Sequence, residues 1–258
     1  MADDEADTGK GIPTNLRLLL LLEEVARVGE PLTPTAANDV LGLPKPSVHR
    51  LFQRLEDEGF LQRDIDGRSY APGTRLRKLA MNVLSSSRLR TVRLTVLNAV
   101  ADHIGETCNI ATPDRDGMCY LDRVETTWPL RIQLPIGTQV PFHCTASGKM
   151  YLSSLPPRML SKFLAAAVLD AHTPHTLTDP DTLITEIARV RARGYATDAE
   201  EFMDGMVAIA VPILDDHGRL MSTLSVHAPT QRMNLSDLEG HLGLLNKACS
   251  DLSELVQR

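Results

Sequence analysis

The sequence predicts an α+β protein: an N-terminal winged helix-turn-helix domain, a helical linker, and a C-terminal domain in which helices flank an antiparallel sheet. Three observations predict this. Helical patterns over residues 14–74 are separated by turns and end in a hairpin pattern. Later strands come mostly as hairpins with helices between them. Residues 41–90 hold 10 Lys/Arg and 5 Asp/Glu, whereas residues 91–258 hold 14 and 20, which indicates two parts with different partners.

Length and composition argue against a membrane protein. The 258 residues are 43% hydrophobic, enough for a sizeable core. The longest apolar run, Leu18 to Leu22, is far shorter than the roughly 20 residues that cross a bilayer, and the acidic N-terminus does not resemble a secretory signal. The four cysteines lack C-x-x-C spacing, so we expect them to be reduced and to form no structural zinc site. We expect a cytoplasmic protein with no membrane partner.

The first domain is predicted over residues 14–74, after a disordered acidic leader at 1–13. A first helix is expected to start after Asn15 as N-cap and to stop at Gly29. Thr33 is expected to cap a short second helix, because a Pro follows it at the first helical position.

A third helix is predicted to open at Pro44 or Pro46 and to close at Gly59. Four apolar residues at helical spacing form its buried stripe: Val48, Leu51, Phe52 and Leu55. Two short extended runs follow, separated by the turn sequence IDG, and predict a hairpin. The whole succession is that of a winged helix-turn-helix.

The polar face of the third helix is basic where the helix begins. In a helix-turn-helix, this end of the second helix reaches base edges in the major groove, while other residues contact phosphates. Prolines here remove only N–H groups that the helix could not have used. We therefore predict double-stranded DNA as a partner, contacted by seven residues: Lys45, Ser47, His49, Arg50 and Arg54 on the helix, and Arg63 and Arg68 beside the wing turn.

Residues 75–90 are predicted as a helical linker, broken at SSS, and residues 91–258 as the second domain. Two strands are expected around DRDG, an extended segment over LRIQLPIGTQVPFHC, and a helix at TASGKMYLSSL. A further helix is expected to be capped by Asp179 or Asp181. A hairpin is predicted around DDHG, followed by a closing helix capped by Ser236.

Five segments carry a family pattern in this order: GLPKPSVHRLFQRLEDEGFLQRD, GRSYAPGTRL, GETCNIA, VPFHCTASGKMYL and RARGYATDAEEFMDGMVAIAVPILDDHGRLMSTLSVHAP. Together they resemble the IclR-type bacterial transcriptional regulators over nearly the whole chain. The resemblance implies a winged helix-turn-helix, a GAF-like effector-binding domain, and a dimer or tetramer on a palindromic operator. The sequence departs from the family at Pro46, where Ser or Thr is usual.

The resemblance also implies a small-molecule effector, often a carboxylate, bound between the sheet and the helix that starts near CTASGKM. Free N–H groups and the helix dipole stabilise an anion at such a position. Two positions depart from the family: Ala208 stands where Cys is common, and His227 where a small Ser or Gly is common, so we expect a ligand larger or more acidic than a two-carbon acid. Six residues are implied to form this site: Ala146, Ser147, Asp198, Ala208, Ser225 and His227.

The alternative function is a small-molecule-binding or metal-binding enzyme domain fused to a DNA-binding module. His143, Cys144 and His227 could surround a metal ion or supply a Cys nucleophile and its base. However, ASGKM lacks the earlier glycine and the following Ser/Thr of a phosphate-binding loop, and an enzyme leaves the basic domain unexplained. We therefore predict a regulator with no catalytic residue, no metal and no cofactor; whether it represses or activates stays open.

Overall fold

The computed structural model describes residues 12–13, 15–64, 66–84 and 87–257. The chain divides into two compact units, Met1–Ser86 and Ser87–Arg258. Most of the predicted leader, and two serines of the predicted break at SSS, lie outside the described residues. Within the described ranges, no helix is long and apolar enough to cross a membrane.

The first unit is a three-helix motif followed by a hairpin and a further helix. In order, its elements are α1 (Arg17–Val28), α2 (Pro34–Leu41), α3 (Lys45–Asp57), β1 (Leu61–Arg63), β2 (Tyr70–Pro72) and α4 (Thr74–Leu84). The strands pair antiparallel, so the predicted winged helix-turn-helix is confirmed. One apolar core joins α1, α2, α3 and the hairpin: Leu21, Val25, Ala37, Leu43, Val48, Phe52, Leu55, Leu61 and Tyr70.

The ends of α1 and α2 follow local rules, with one exception. Gly29 ends α1 in the left-handed region, with φ of 72°, where glycine has no side chain to clash. Thr33 Oγ1 accepts the Ala36 N–H at 3.2 Å and so satisfies one of the free donors of the first turn of α2. The prediction of Asn15 as the cap of α1 is wrong, because Leu16 occupies the N-cap position and offers no side-chain acceptor.

The second unit is an α+β domain built on one six-stranded antiparallel sheet. Its strands lie in the order β5-β4-β3-β8-β7-β6. The helix α6 packs on one face of the sheet, and α5 and α10 pack on each other and on the sheet. In order, its elements are α5 (Ser87–Ile104), β3 (Thr107–Pro113), β4 (Met118–Val124), β5 (Gln139–Val140), α6 (Ala146–Ser154), α7 (Pro157–Ala166), α8 (Pro180–Arg193), β6 (Ala196–Ala199), β7 (Met206–Leu214), β8 (Leu220–Pro229), α9 (Leu235–Glu239) and α10 (Leu242–Gln257).

Several details of the second unit differ from the sequence prediction. The long extended segment forms only the two-residue β5, and the sequence did not predict α7 and β6. The single closing helix capped by Ser236 is wrong. Asn234 caps α9 through a reciprocal pair with Asp237, in which each side chain accepts the other residue's N–H, and Gly240 ends α9 before α10 begins. Asp179 caps α8 by accepting the Thr182 N–H, which decides between the two predicted caps.

Candidate DNA-contact and effector-binding sites

The exposed face of α3 is the candidate DNA-contact surface. Val48, Phe52 and Leu55 are buried and hold α3 against the core. The other side carries predicted contacts: Lys45, His49, Arg50 and Arg54 are exposed, and Ser47 is half-buried. In the part of the chain that the structure describes, the side chains of Lys45, Arg50 and Arg54 have no ion pair or hydrogen bond. Their charges are therefore available to phosphates or base edges.

The two prolines at the start of α3 cost it no backbone hydrogen bond. Pro44 is the N-cap and Pro46 the second helical residue, so neither needs an N–H donor for the intrahelical ladder. The first ladder bonds come from Ser47 and Val48, whose N–H groups donate to the Pro44 carbonyl at 2.9 and 3.2 Å. Because each proline ring fixes its own φ angle, the start of α3 is rigid. The first turn of α3 also carries no acidic side chain that would repel DNA phosphates.

Arg63 differs from the other predicted contacts because it is already bonded within its unit. Its Nε donates to both carboxylate oxygens of Glu56, at 2.8 and 3.1 Å. Its Nη atoms donate to the Gly67 carbonyl and to Gln53 Oε1, each at 3.2 Å. Since Glu56 and Gln53 belong to α3 and Gly67 to the wing turn, Arg63 joins the helix to the wing. Arg68 is exposed in the same turn.

Four of the six implied effector residues come together on one face of the sheet. Asp198 lies opposite Ala208, and Ala208 lies opposite His227. Ser225 is two residues from His227 on β8 and so points to the same side. Ala208 packs in one cluster with Ala146 of α6. The helix α6 therefore covers this face.

The start of α6 has the features that bind an anion. Thr145 is the N-cap, and its Oγ1 accepts the Gly148 N–H at 3.0 Å. The N–H groups of Ala146 and Ser147, the first two helical residues, have no intrahelical acceptor. A Cβ at Gly148 would lie 2.4 Å from the carbonyl oxygen of Phe142, so only glycine allows this close approach of the helix to the preceding segment.

Among the described residues, the buried side-chain atoms without a hydrogen-bond partner include Ser147 Oγ and Asn109 Nδ2, and both lie near this interface. Asn109 lies opposite Ser225 on β3 and therefore shares the face covered by α6. Its Oδ1 accepts from Arg123 Nη1 at 2.9 Å, so only the amide nitrogen is unpaired. The sequence analysis did not predict Asn109 as a site residue. The one feature that could have indicated it is a polar amide within the otherwise mostly apolar strand segment TCNIA.

His227 is a neutral side chain in this site. Its Nε2 lies 3.1 Å from Ser225 Oγ, and its ring stands edge-on to Tyr120 with centroids 6.3 Å apart. Burial lowers the pKa of His227 to about 3, and the nearby charge of Arg123 adds to this. At neutral pH, His227 therefore offers a hydrogen bond to a hydroxyl or carbonyl and no positive charge to a carboxylate.

Asp198 is the titratable acid of the site. Burial raises the pKa of its carboxyl to about 7, and the negative charge of Glu201 raises it further. Two backbone bonds oppose this shift, because Oδ1 accepts the N–H groups of Glu201 at 2.7 Å and Phe202 at 3.3 Å. Asp198 therefore exchanges a proton near neutral pH.

Replacing Asp198 by Asn is expected to change the pH dependence of stability. The folded-state pKa of Asp198 lies above its ordinary value. Stability from this group is therefore present at low pH and is lost as pH rises from about 4 to about 7. Asn keeps an oxygen that accepts the N–H groups of Glu201 and Phe202, but it cannot ionise. The free energy of unfolding of the variant minus that of the wild type should thus increase over this pH range.

The measurement is urea unfolding followed by the fluorescence of Trp128, the only tryptophan. A difference that stays constant with pH would contradict the assignment.

Of the three residues considered for catalysis, the fold brings together His143 and Cys144 but not His227. His227 lies with Ser225, whereas His143 Nε2 contacts the Asp170 carbonyl at 3.0 Å. Burial raises the pKa of the Cys144 thiol to about 12, with the charges of Asp198 and Glu201 adding to the shift. A thiol that stays protonated is a poor nucleophile.

Comparisons with known proteins agree over both units. A model of the IclR helix-turn-helix domain matches residues 16–64, and a model described as bacterial transcriptional regulator IclR C-terminal matches residues 81–254. The chain is 37% identical over 237 residues to "Probable transcriptional regulator SauR" of Cupriavidus necator, covering 92% of this chain and 94% of that protein. It is 30% identical over 219 residues to the "Transcriptional repressor IclR" of Escherichia coli, covering 84% and 80%.

Solved structures share the fold. The crystal structure of the Thermotoga maritima IclR superposes with a TM-score of 0.62 at 25% identity, covering 93% of this chain and 97% of that one. An IclR homolog from Microbacterium hydrocarbonoxydans, crystallised with 4-hydroxybenzoate, superposes with a TM-score of 0.60 at 24% identity, covering 93% and 99%. At this identity the second likeness shows the fold alone.

Proposed function

The chain belongs to the IclR family of bacterial transcriptional regulators, and from this premise we propose which of its residues bind DNA and which bind the effector. As a member, it is a DNA-binding transcriptional regulator with a helix-turn-helix and an effector-binding domain. Residues 14–74 bind DNA, residues 75–90 are the linker, and residues 91–258 bind the effector. The protein acts in the cytoplasm as a dimer or tetramer on a palindromic operator and is not an enzyme.

The helix α3 is the part that reads DNA in this proposal. Its basic residues stand exposed, and Arg50 and Arg54 have no partner in the described ranges that would have to be displaced. Lys45, Ser47 and His49 complete the surface, together with Arg68 at the wing. Arg63 acts mainly by holding the wing against α3, since its guanidinium is already bonded to Glu56, Gln53 and Gly67. Its predicted phosphate contact is correspondingly secondary.

The effector binds between the sheet and the start of α6. The observation that carries this is the pair of buried, unpartnered atoms, Ser147 Oγ and Asn109 Nδ2. Leaving such groups unpaired costs about 1–3 kcal/mol each, and a bound molecule that pairs with them recovers this energy. The N–H groups of Ala146 and Ser147 favour an anionic end on that molecule. Ala208 and Ala146, which pack in one cluster at this interface, have small side chains, so few atoms must move for the effector to enter.

The effector is proposed to be an organic or aromatic carboxylic acid that also carries a hydroxyl or carbonyl. Its carboxylate lies at the start of α6, where the free N–H groups point. Its second oxygen lies near His227, which is neutral and can only offer a hydrogen bond. Asp198 is protonated in part at neutral pH, so it does not repel an anion as a fully charged carboxylate would.

A thermal-shift screen of the full chain against carboxylic acids, 4-hydroxybenzoate among them, tests this proposal, with the amide of each acid as matched control. We expect at least one acid to raise the melting temperature while its amide does not. Ser147→Ala should weaken binding of that acid by about tenfold or more, because a hydrogen bond to a charged group contributes about 1.5–3 kcal/mol. Ser154→Ala, an exposed serine at the far end of α6, is the control. If Ser147→Ala and Ser154→Ala bind that acid with equal affinity, the acid does not bind at the start of α6.

A further inference from the structure

Three metal-ligating side chains meet just before α6, apart from the proposed effector residues. His143 and Cys144 are buried, and His172 is exposed on the segment between α7 and α8. Each offers one ligand atom, and the three atoms lie within 4.8 Å of one another. The sequence suggests His143, Cys144 and His227 as a possible metal-binding group, but the fold brings His172 to the first two residues and not His227.

The hydrogen bond of His143 leaves its other ring nitrogen free for a metal. Nε2 lies 3.0 Å from the Asp170 carbonyl oxygen. A carbonyl only accepts, so Nε2 carries the hydrogen and Nδ1 carries the lone pair. Metal-bound imidazoles almost always have this arrangement, in which the second N–H donates to a backbone carbonyl or a carboxylate.

The segment that carries His172 is held in place by threonine hydroxyls that donate to backbone carbonyls of the β6–β7 connection. The His172 N–H donates to Thr176 Oγ1 at 3.0 Å, and Thr176 Oγ1 in turn lies 2.6 Å from the Glu201 carbonyl. Thr173 Oγ1 donates to the Glu200 carbonyl at 2.7 Å. The backbone is thus fixed, while the exposed His172 ring has no hydrogen-bond partner in the described part of the chain and lies against the rings of His143 and Phe202.

We propose that His143, Cys144 and His172 bind one Zn²⁺ ion. Two imidazoles and one thiolate suit Zn²⁺ among the common divalent ions. Bond lengths of about 2.0–2.1 Å to nitrogen and about 2.3 Å to sulfur place tetrahedral ligand atoms about 3.5 Å apart. The three ligand atoms must therefore approach one another by about 1 Å on binding, and we expect the exposed His172 side chain to make this movement. Binding converts the Cys144 thiol to a thiolate and releases its proton to solvent.

Three protein ligands leave one coordination position for a water molecule. A cavity of about 520 Å³ is lined by both His143 and His172, and also by Asp170 and Phe142. The ion would therefore be reached from solvent and would join the segment before α6 to the segment before α8. This site does not depend on the effector proposal, because it is tested without acid or DNA.

Cobalt titration of the full-length, tag-free, chelator-treated chain tests the proposal, followed by competition with Zn²⁺. We expect one equivalent of Co²⁺ to give the thiolate-to-cobalt absorption and the visible bands of a tetrahedral site. Cys144→Ser should abolish the thiolate band, and His172→Ala should weaken binding by at least about tenfold. His175→Ala and Cys119→Ser, at a nearby exposed histidine and a half-buried cysteine, should bind as wild type does.

A second readout covers the case in which Cys144→Ser does not fold. Zn²⁺ should raise the melting temperature of the wild type and of His175→Ala, but not that of His172→Ala, whose replaced side chain is exposed and does not support the core. The absence of a thiolate-to-cobalt band in the folded wild type would overturn the proposal. Equal metal affinity in His172→Ala and His175→Ala would overturn it as well.

Discussion

Replacing Arg50 and Arg54 together by Ala is expected to weaken binding to operator DNA by about 30-fold or more. Each arginine that contacts a base or phosphate contributes about 1–3 kcal/mol, and both side chains are exposed on α3 without an internal partner in the described ranges. Since neither supports the core, the variant should fold and melt as the wild type does. The measurement is fluorescence anisotropy with DNA that the wild type selects from a random double-stranded pool.

The control for this variant removes the same number of charges elsewhere. Arg158→Ala combined with Arg189→Ala changes two exposed residues of the second unit, on α7 and α8. We expect this control to keep operator affinity within about threefold of the wild type, since only long-range charge changes. If both double variants bind the operator equally well, α3 is not the element that reads DNA.

Lys149→Met is expected to destabilise the second unit by about 3–5 kcal/mol, the cost of breaking a buried ion pair by removing one partner. Lys149 is 1% exposed; its ammonium donates to Glu201 Oε1, and Glu186 Oε1 lies 3.8 Å away. Removal leaves Glu201 buried beside Asp198 with no cation. The melting temperature should fall by about 10 °C, and urea unfolding followed through Trp128 should show the same loss.

A second substitution distinguishes the ion pair from simple packing. Lys149→Met combined with Glu201→Gln removes both charges, so no unpaired charge stays buried, and a substantial part of the lost stability should return. If the double variant is as unstable as the sum of the two single variants, the loss comes from packing. A Lys149→Met protein within 1 kcal/mol of the wild type would contradict the buried pair itself.

The sequence predicted best where structure depends on nearby residues. The cap at Thr33 and the stop at Gly29 each follow from spacing or conformation within a few residues, and the structure confirms them. The apolar stripe of α3 is confirmed at three of its four positions, because Leu51 is only partly buried. The prediction of Asn15 as the cap of α1 missed the observed N-cap, Leu16, by one residue, and helix ends are commonly uncertain by one or two residues.

The candidate sites were harder to predict because they depend on contacts between distant segments. Asn109 lies on the sheet face covered by α6 only through the register of β3 on β8, which no local pattern specifies. His172 reaches Cys144 because Thr173 and Thr176 bind the β6–β7 connection. A residue from such a segment leaves no spacing signal in the sequence. The six residues predicted for the effector site, in contrast, were implied by the resemblance to a family whose pattern reflects its fold.

The most direct test of the account is the operator affinity of the full chain with and without the acid found by thermal shift. Coupling between two sites typically changes affinity about 5–150-fold. We predict a change in this range for the wild type, and a clearly smaller change for Ser147→Ala at an acid concentration that just saturates the wild type. An acid that stabilises the wild type but leaves its operator affinity unchanged would contradict the claim that the site under α6 controls DNA binding.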